Sequence, residues 1–243
     1  MAKHRVIGPS AWIVGAAGLI IGVGAAWLVT QGNPGNMGLC IACFNRDITG
    51  AFGGAWANMG GVAYLRPEII GLLFGGTVAA LATREFRPRG GSSVLLRFVL
   101  GFIFMMSSLI FLGCTVRAWL RLGGGDLNAL YGIAGIVVGV SVGAVFLKQG
   151  FNLGRAKVMT PVAGWVGSAL MLGGCPFRQV IMSGEGDADA TVAVLGMFAG
   201  ALVAHRFVIA STGAGLSDKA WPALAVMLAV LLVIAFAKRE RLA

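Results

Sequence analysis

Apolar stretches follow one another along the 243-residue chain, near 11–30, 48–63, 68–83, 94–113, 127–147, 159–174, 190–210 and 221–237. A helix crosses a bilayer core with about 20 apolar residues, so the longer stretches predict spanning helices. Others are short, rich in glycine, or stop abruptly at a cysteine. Interrupted segments of that kind point to a site within the membrane. Irregular backbone at that depth survives only where protein or a water-filled cavity surrounds it. The expected fold is therefore an all-α, polytopic integral membrane helical bundle with re-entrant or half helices. The first stretch follows Lys3, His4 and Arg5, but it is too long for a secretory signal and no clean small-residue cleavage site follows it. It reads as the first spanning helix of a single transmembrane domain over residues 1–243.

Inside that pattern lies an internal repeat. Gly113-Cys114-Thr115-Val116-Arg117 recurs as Gly174-Cys175-Pro176-Phe177-Arg178, a shift of 61 (175 − 114). At the same shift Ser107 matches Ser168, Gly123 matches Gly184, and Gly125-Asp126 matches Gly186-Asp187. Gly135 and Gly139 match Gly196 and Gly200, so the copies run over about 94–148 and 155–209. Glycines at helical spacing (Gly18/Gly22, Gly71/Gly75, Gly135/Gly139/Gly143, Gly196/Gly200) let helix backbones approach closely, and predict a tight bundle.

Composition supports lipid as the solvent. Only 12% of residues are charged, against about 25% in soluble domains, which excludes an ordinary soluble globule. The net charge of +10 reads as loop charge on a membrane protein, and no nucleic acid is expected as a partner, because the basic residues cluster between apolar runs. Lys3–Arg5, the Arg84–Arg97 loop and the Lys148–Lys157 loop should share the cytoplasmic side, and Glu185–Asp189 the outer side. Lys238–Arg241 also belongs inside by charge, whereas counting spans puts it outside. One segment is therefore not a simple crossing.

Four cysteines, Cys40, Cys43, Cys114 and Cys175, fall at or inside membrane depth, which argues against an extracellular disulfide framework. One reading of a buried cysteine is a small hydrophobe. Repetition beside glycine and arginine favours a role in a path. Arg117 and Arg178 follow apolar runs, where arginine is costly unless it meets a partner, water or a ligand. They either snorkel, pair with Asp126 and Asp187, or draw a small anion to a constriction. A thiol is a soft, polarizable contact suited to an anion that itself contains sulfur. Cys40-Ile41-Ala42-Cys43 is also a Cys-x-x-Cys, which signals redox exchange or half a metal site. A zinc site needs about four ligands, and His4 and His205 stand at unhelpful spacing, so no metal and no cofactor is expected. His205-Arg206 reads as a helix-end anchor. Arg46 either closes a half helix by pairing with Asp47 or faces an anion.

The stretch Gly32-Asn33-Pro34-Gly35-Asn36-Met37-Gly38-Leu39-Cys40-Ile41-Ala42-Cys43-Phe44-Asn45-Arg46-Asp47 resembles the YeeE/YedE family of sulfur-compound transport proteins, and its YedE-like, selenium-metabolism-related branch more narrowly. Tyr64-Leu65-Arg66-Pro67-Glu68-Ile69 and the two Gly-Cys-x-x-Arg blocks resemble the same branch. The resemblance implies a multi-pass protein of the bacterial inner (cytoplasmic) membrane. It implies a permease, with no catalytic residue, that hands a small sulfur- or selenium-containing anion such as thiosulfate along a cysteine-lined constriction. By motif match Cys40, Cys114 and Cys175 carry the relay, with Cys43, Arg117, Arg178 and Arg46 beside the path. It also implies a small cytoplasmic TusA-like sulfur carrier as partner. The chain departs from the family in the short link between its copies, roughly 148–161. That link makes the copies run in the same direction where the family's halves are inverted. A minimal form, a path completed in a homo-oligomer, or loss of transport would each account for it. Two other readings stand beside the permease: a membrane thiol–disulfide oxidoreductase using Cys40/Cys43, and a membrane scaffold that docks the sulfur carrier.

Overall fold

The computed structural model describes residues 9–32, 40–57, 63, 65–84, 86, 89–90, 93–111, 113–123, 125–148, 157–158, 176–210 and 217–237. The expected break at Asn33–Leu39, Tyr64, the stretch at 159–174 and Cys175 lie outside the described residues. The chain is all-α: α1 Pro9–Thr30, α2 Ile41–Ala57, α3 Pro67–Ala82, α4 Val94–Ile110, α5 Thr115–Gly123, α6 Ala129–Lys148, α7 Pro176–Gly184, α8 Ala188–Arg206 and α9 Ala220–Ala237. A two-residue antiparallel ladder pairs Arg89–Gly90 (β1) with Lys157–Val158 (β2), with Arg89 opposite Val158. It ties together the two basic loops that the charge pattern assigns to one side.

Side by side at the centre run α4 and α8, held by what their glycines omit. A Cβ added at Gly200 would meet the Phe102 carbonyl oxygen at 2.5 Å, and one added at Gly101 would meet the Ala193 carbonyl oxygen at 2.6 Å. Arg97 reaches Asp189 at 3.0 Å and fastens the starts of the two helices. Met105, Met106, Leu109 and Met197 fill the space around this seam. Across α8 lies α2, where Asn45 Nδ2 donates to Met197 Sδ at 3.7 Å. Against α7 packs α3, with the Thr77 hydroxyl 2.7 Å from the Gly184 carbonyl oxygen.

The remaining helices turn apolar side chains outward. Trp12, Leu19, Ile20 and Trp27 on α1 are exposed, as are Tyr131, Val137, Val138 and Val140 on α6 and Trp221, Val226 and Val233 on α9. By length and composition, the stretch Val94–Gly123, which holds both α4 and α5, and α8 itself are apolar enough to cross a membrane.

Two parts of the expected helix pattern differ from the structure. Instead of starting near residue 48, α2 starts at Ile41, because Asn45 and Asp47 are polar but fully buried with partners. The short helices α5 and α7 lie where no apolar run was expected, since only one face of each is apolar. Of the glycine stripes, Gly196/Gly200 form a helix contact, whereas a Cβ added at Gly18, Gly22, Gly71, Gly75, Gly135 or Gly139 would meet no described neighbour within 4 Å.

Candidate functional site

Two helix N-termini meet at the cysteines. The Cys40 carbonyl accepts the first bond of α2, from Phe44 N at 2.9 Å, and the Cys114 carbonyl accepts the first bond of α5, from Ala118 N at 3.1 Å. Each cysteine is therefore the N-cap of its helix. Positive φ at Gly113 (151°), a conformation glycine alone adopts easily, turns the chain out of α4 and lets α5 start at Thr115.

The two capping thiols hydrogen-bond to each other, and Cys40 also bonds to the Cys43 thiol. The Cys114 sulfur additionally receives backbone hydrogen bonds from Val116 and Arg117 in the first turn of α5, and from Ala42 in the first turn of α2. Helix first turns carry amide hydrogens with no intrahelical acceptor, so two sets of orphan donors converge on one sulfur. Arg117 completes the site by donating from Nη1 to Cys43 Sγ at 3.3 Å, while its buried Nε has no partner. All three sulfurs are buried, and all three cysteines are free thiols.

A single carboxylate organises the flank. Asp47 receives Arg46 on Oδ1 (Nε 2.8 Å, Nη2 2.6 Å) and Arg66 on Oδ2 (Nε 2.7 Å, Nη2 2.6 Å). Arg66 lies 4.9 Å over the Phe44 ring and approaches Glu68 at 3.6 Å. Removing one member of so buried a cluster costs about 3–5 kcal/mol, because it strands the partner charge. Pairing with Asp47 is thus realised for Arg46. That choice does not remove it from the site, because its charge acts on Cys43.

The structure brings together Cys40, Cys43, Cys114, Arg117 and Arg46. Arg178 stands apart on an exposed surface, and no contact joins it to the thiols among the described residues. Neither expected arginine–aspartate pair is the one observed. Asp126 binds Arg121 at 2.6 Å, one turn nearer than Arg117, and Arg97 is the guanidinium whose charge meets Asp187. Sequence reasoning placed Arg66 only within a resembling motif and gave it no role at the site, although an arginine just before Pro67 and Glu68 marks a helix start rich in charge. It also overlooked the Ala42 amide, which no side-chain pattern announces.

No known protein family, curated protein or solved structure matches this chain. The site's chemistry must speak for itself. Two helix N-termini each carry about half a positive charge, and Arg117 adds a full one. Among the described residues no group of three or more His, Cys, Asp or Glu side chains is arranged to hold a metal ion. Amide donors, thiols and a guanidinium are what a small, soft anion requires.

Proposed function

We propose that the chain is a multi-pass inner-membrane permease of the YeeE/YedE kind, passing a small sulfur- or selenium-containing anion along its cysteines. One observation carries the reading: the first turns of α2 and α5 converge on the Cys114 sulfur. Two like partial charges repel unless an anion or electron-rich atom lies between them. Weak, multi-site binding by amides and thiols is what allows passage without trapping.

Shape and surface support it further. At nine residues, α5 and α7 are each about 13–14 Å long, less than half of a bilayer core, as half helices are. Their shared spacing from the two Gly-Cys-x-x-Arg blocks agrees with an internal repeat. Apolar side chains turned outward on α1, α6 and α9 suit a lipid surround, since soluble monomers rarely expose such patches. A TusA-like carrier is the partner this reading expects on the cytoplasmic side.

Uptake of labelled thiosulfate and of selenium oxyanions into proteoliposomes tests the proposal. Cys114→Ala is expected to lose at least about tenfold in rate while the protein remains in the membrane, because a charge-assisted contact at that sulfur contributes about 1.5–3 kcal/mol. Cys175→Ala is expected to behave alike. Normal uptake in both variants would remove the cysteine path. A second reading, a thiol–disulfide oxidoreductase, draws on the contact of Cys40 with both Cys43 and Cys114. Maleimide labelling before and after oxidation separates the two. Stoichiometric, reversible Cys40–Cys43 pairing that activity requires favours the oxidoreductase.

A further inference from the structure

The anion path leaves His205, near the end of α8, without a role. Its Nε2 is a buried atom with no hydrogen-bond partner, and buried polar atoms are normally satisfied. Arg46 lies on α2, which packs against α8, and its charge acts on this imidazole and on the Cys43 thiol as well. Arg46 thus links the thiol cluster to His205. Asp47 grips its guanidinium at 2.8 and 2.6 Å, so the charge is fixed in place.

The other charged groups packed around α8 are for the most part paired elsewhere or exposed. On α2, Asp47 is shared between Arg46 and Arg66. The charge on α4, Arg97, engages Asp189 at the opposite end of α8, near Asp187. Arg178 on α7 and Arg206 next to His205 are exposed, Glu185 follows α7 toward the start of α8, and β1 carries Arg89. Asp218 and Lys219, ahead of α9, are also exposed. An imidazolium at position 205 would therefore have a fixed positive neighbour, and among the described residues every buried carboxylate on the helices packed against α8 already meets an arginine. An anion arriving at Arg46 supplies the counter-charge that is missing. Binding linkage is reciprocal, so a proton on the imidazole then strengthens the anion's hold by the same factor.

We propose that His205 takes up a proton at Nε2 as the anion reaches Arg46, which makes the chain an anion–proton symporter. The proposal rests on the permease reading. The proton enters from water on the loading side, resides on Nε2, and leaves to water on the release side with the anion. No other bond changes.

Labelled thiosulfate in proteoliposomes separates path from coupling. Counterflow at equal pH reports the path alone, and uptake under an acid-outside gradient reports the coupling. Full coupling of one proton raises wild-type accumulation by up to about tenfold per pH unit. His205→Gln is expected to keep counterflow while its gradient response falls to none, and His205→Asn serves if the glutamine variant does not insert. Wild-type uptake that ignores the gradient while counterflow persists overturns the symport, as does a variant that responds like wild type. Absence of counterflow in wild type overturns the permease reading, and the symport with it.

Discussion

The segment from α5 into α6 and the segment from α7 into α8 start alike and end differently. Gly125 and Gly186 turn the chain with φ of 88° and 87°. Asp126 N donates to the Arg121 carbonyl and Asp187 N to the Met182 carbonyl, both at 2.9 Å. Each aspartate then accepts a hydrogen bond from the amide two residues on, at 3.0 and 2.9 Å. Beyond the turn the likeness stops, for α6 is largely exposed and α8 is largely buried. Before the turn, Arg117 reaches a thiol and Arg178 reaches no described partner. Local sequence is enough to shape a cap and a turn. Which helix enters the core, and which arginine meets chemistry, depends on what packs against it.

The arginines give the largest contrast. A hydrogen bond involving a charged group contributes about 1.5–3 kcal/mol, so Arg117→Ala should slow thiosulfate uptake by about 10- to 100-fold. Arg178→Ala should stay within about twofold, since exposed positions away from a site change little. Proteoliposome rates at matched protein density decide it. Equal losses in the two variants would mean that both blocks face the path and that the observed asymmetry has no functional weight.

Next come the glycines, where even the sign should differ. A Cβ at position 200 runs into the Phe102 carbonyl oxygen at 2.5 Å, whereas one at position 139 meets nothing within 4 Å. Gly200→Ala forces α4 and α8 apart and should destabilise by about 1–3 kcal/mol. Gly139→Ala should leave stability unchanged or raise it by up to about 1 kcal/mol, because alanine favours helix. Unfolding in detergent measures both. A destabilised Gly139→Ala would reveal a helix packed against α6.

These contrasts show where sequence was informative and where it was not. Long apolar runs disclose α1, α4, α6, α8 and α9, because lipid-length helices need little beyond hydrophobic length. The repeated cysteine blocks disclose Cys114, and the Cys-x-x-Cys discloses Cys40 and Cys43. Their meeting was not legible. It requires two N-termini to face each other across 74 residues (114 − 40), and no periodicity encodes such an approach. The start of α2 was hidden for a related reason. Asn45, Arg46 and Asp47 read as the close of a half helix, and only Arg66 and Met197 as buried partners show that they lie inside α2. The glycine stripes were visible, but whether a stripe is used depends on a neighbour.

The smallest contrast concerns the two turn aspartates. Arg121 Nε and Nη2 donate to Asp126 Oδ2 at 2.7 and 2.6 Å, and Nη1 donates to the Phe111 carbonyl at 2.9 Å. The second block has Met182 at the matching position, so this ion pair has no counterpart there. Hydrogen bonds from Arg121, and then from the Asn128 amide, hold the Asp126 carboxyl below its ordinary range. A carboxylate with a lowered folded-state value contributes stability above its ordinary range and loses it as pH falls through the lowered value. Asp126→Asn should therefore melt slightly below wild type near neutral pH, and the two should converge in strong acid. Because the pair is only half-buried, added salt should narrow the gap as well. A gap that persists undiminished in acid would mean that Asp126 serves the turn through its hydrogen bond to the Asn128 amide and not through its charge.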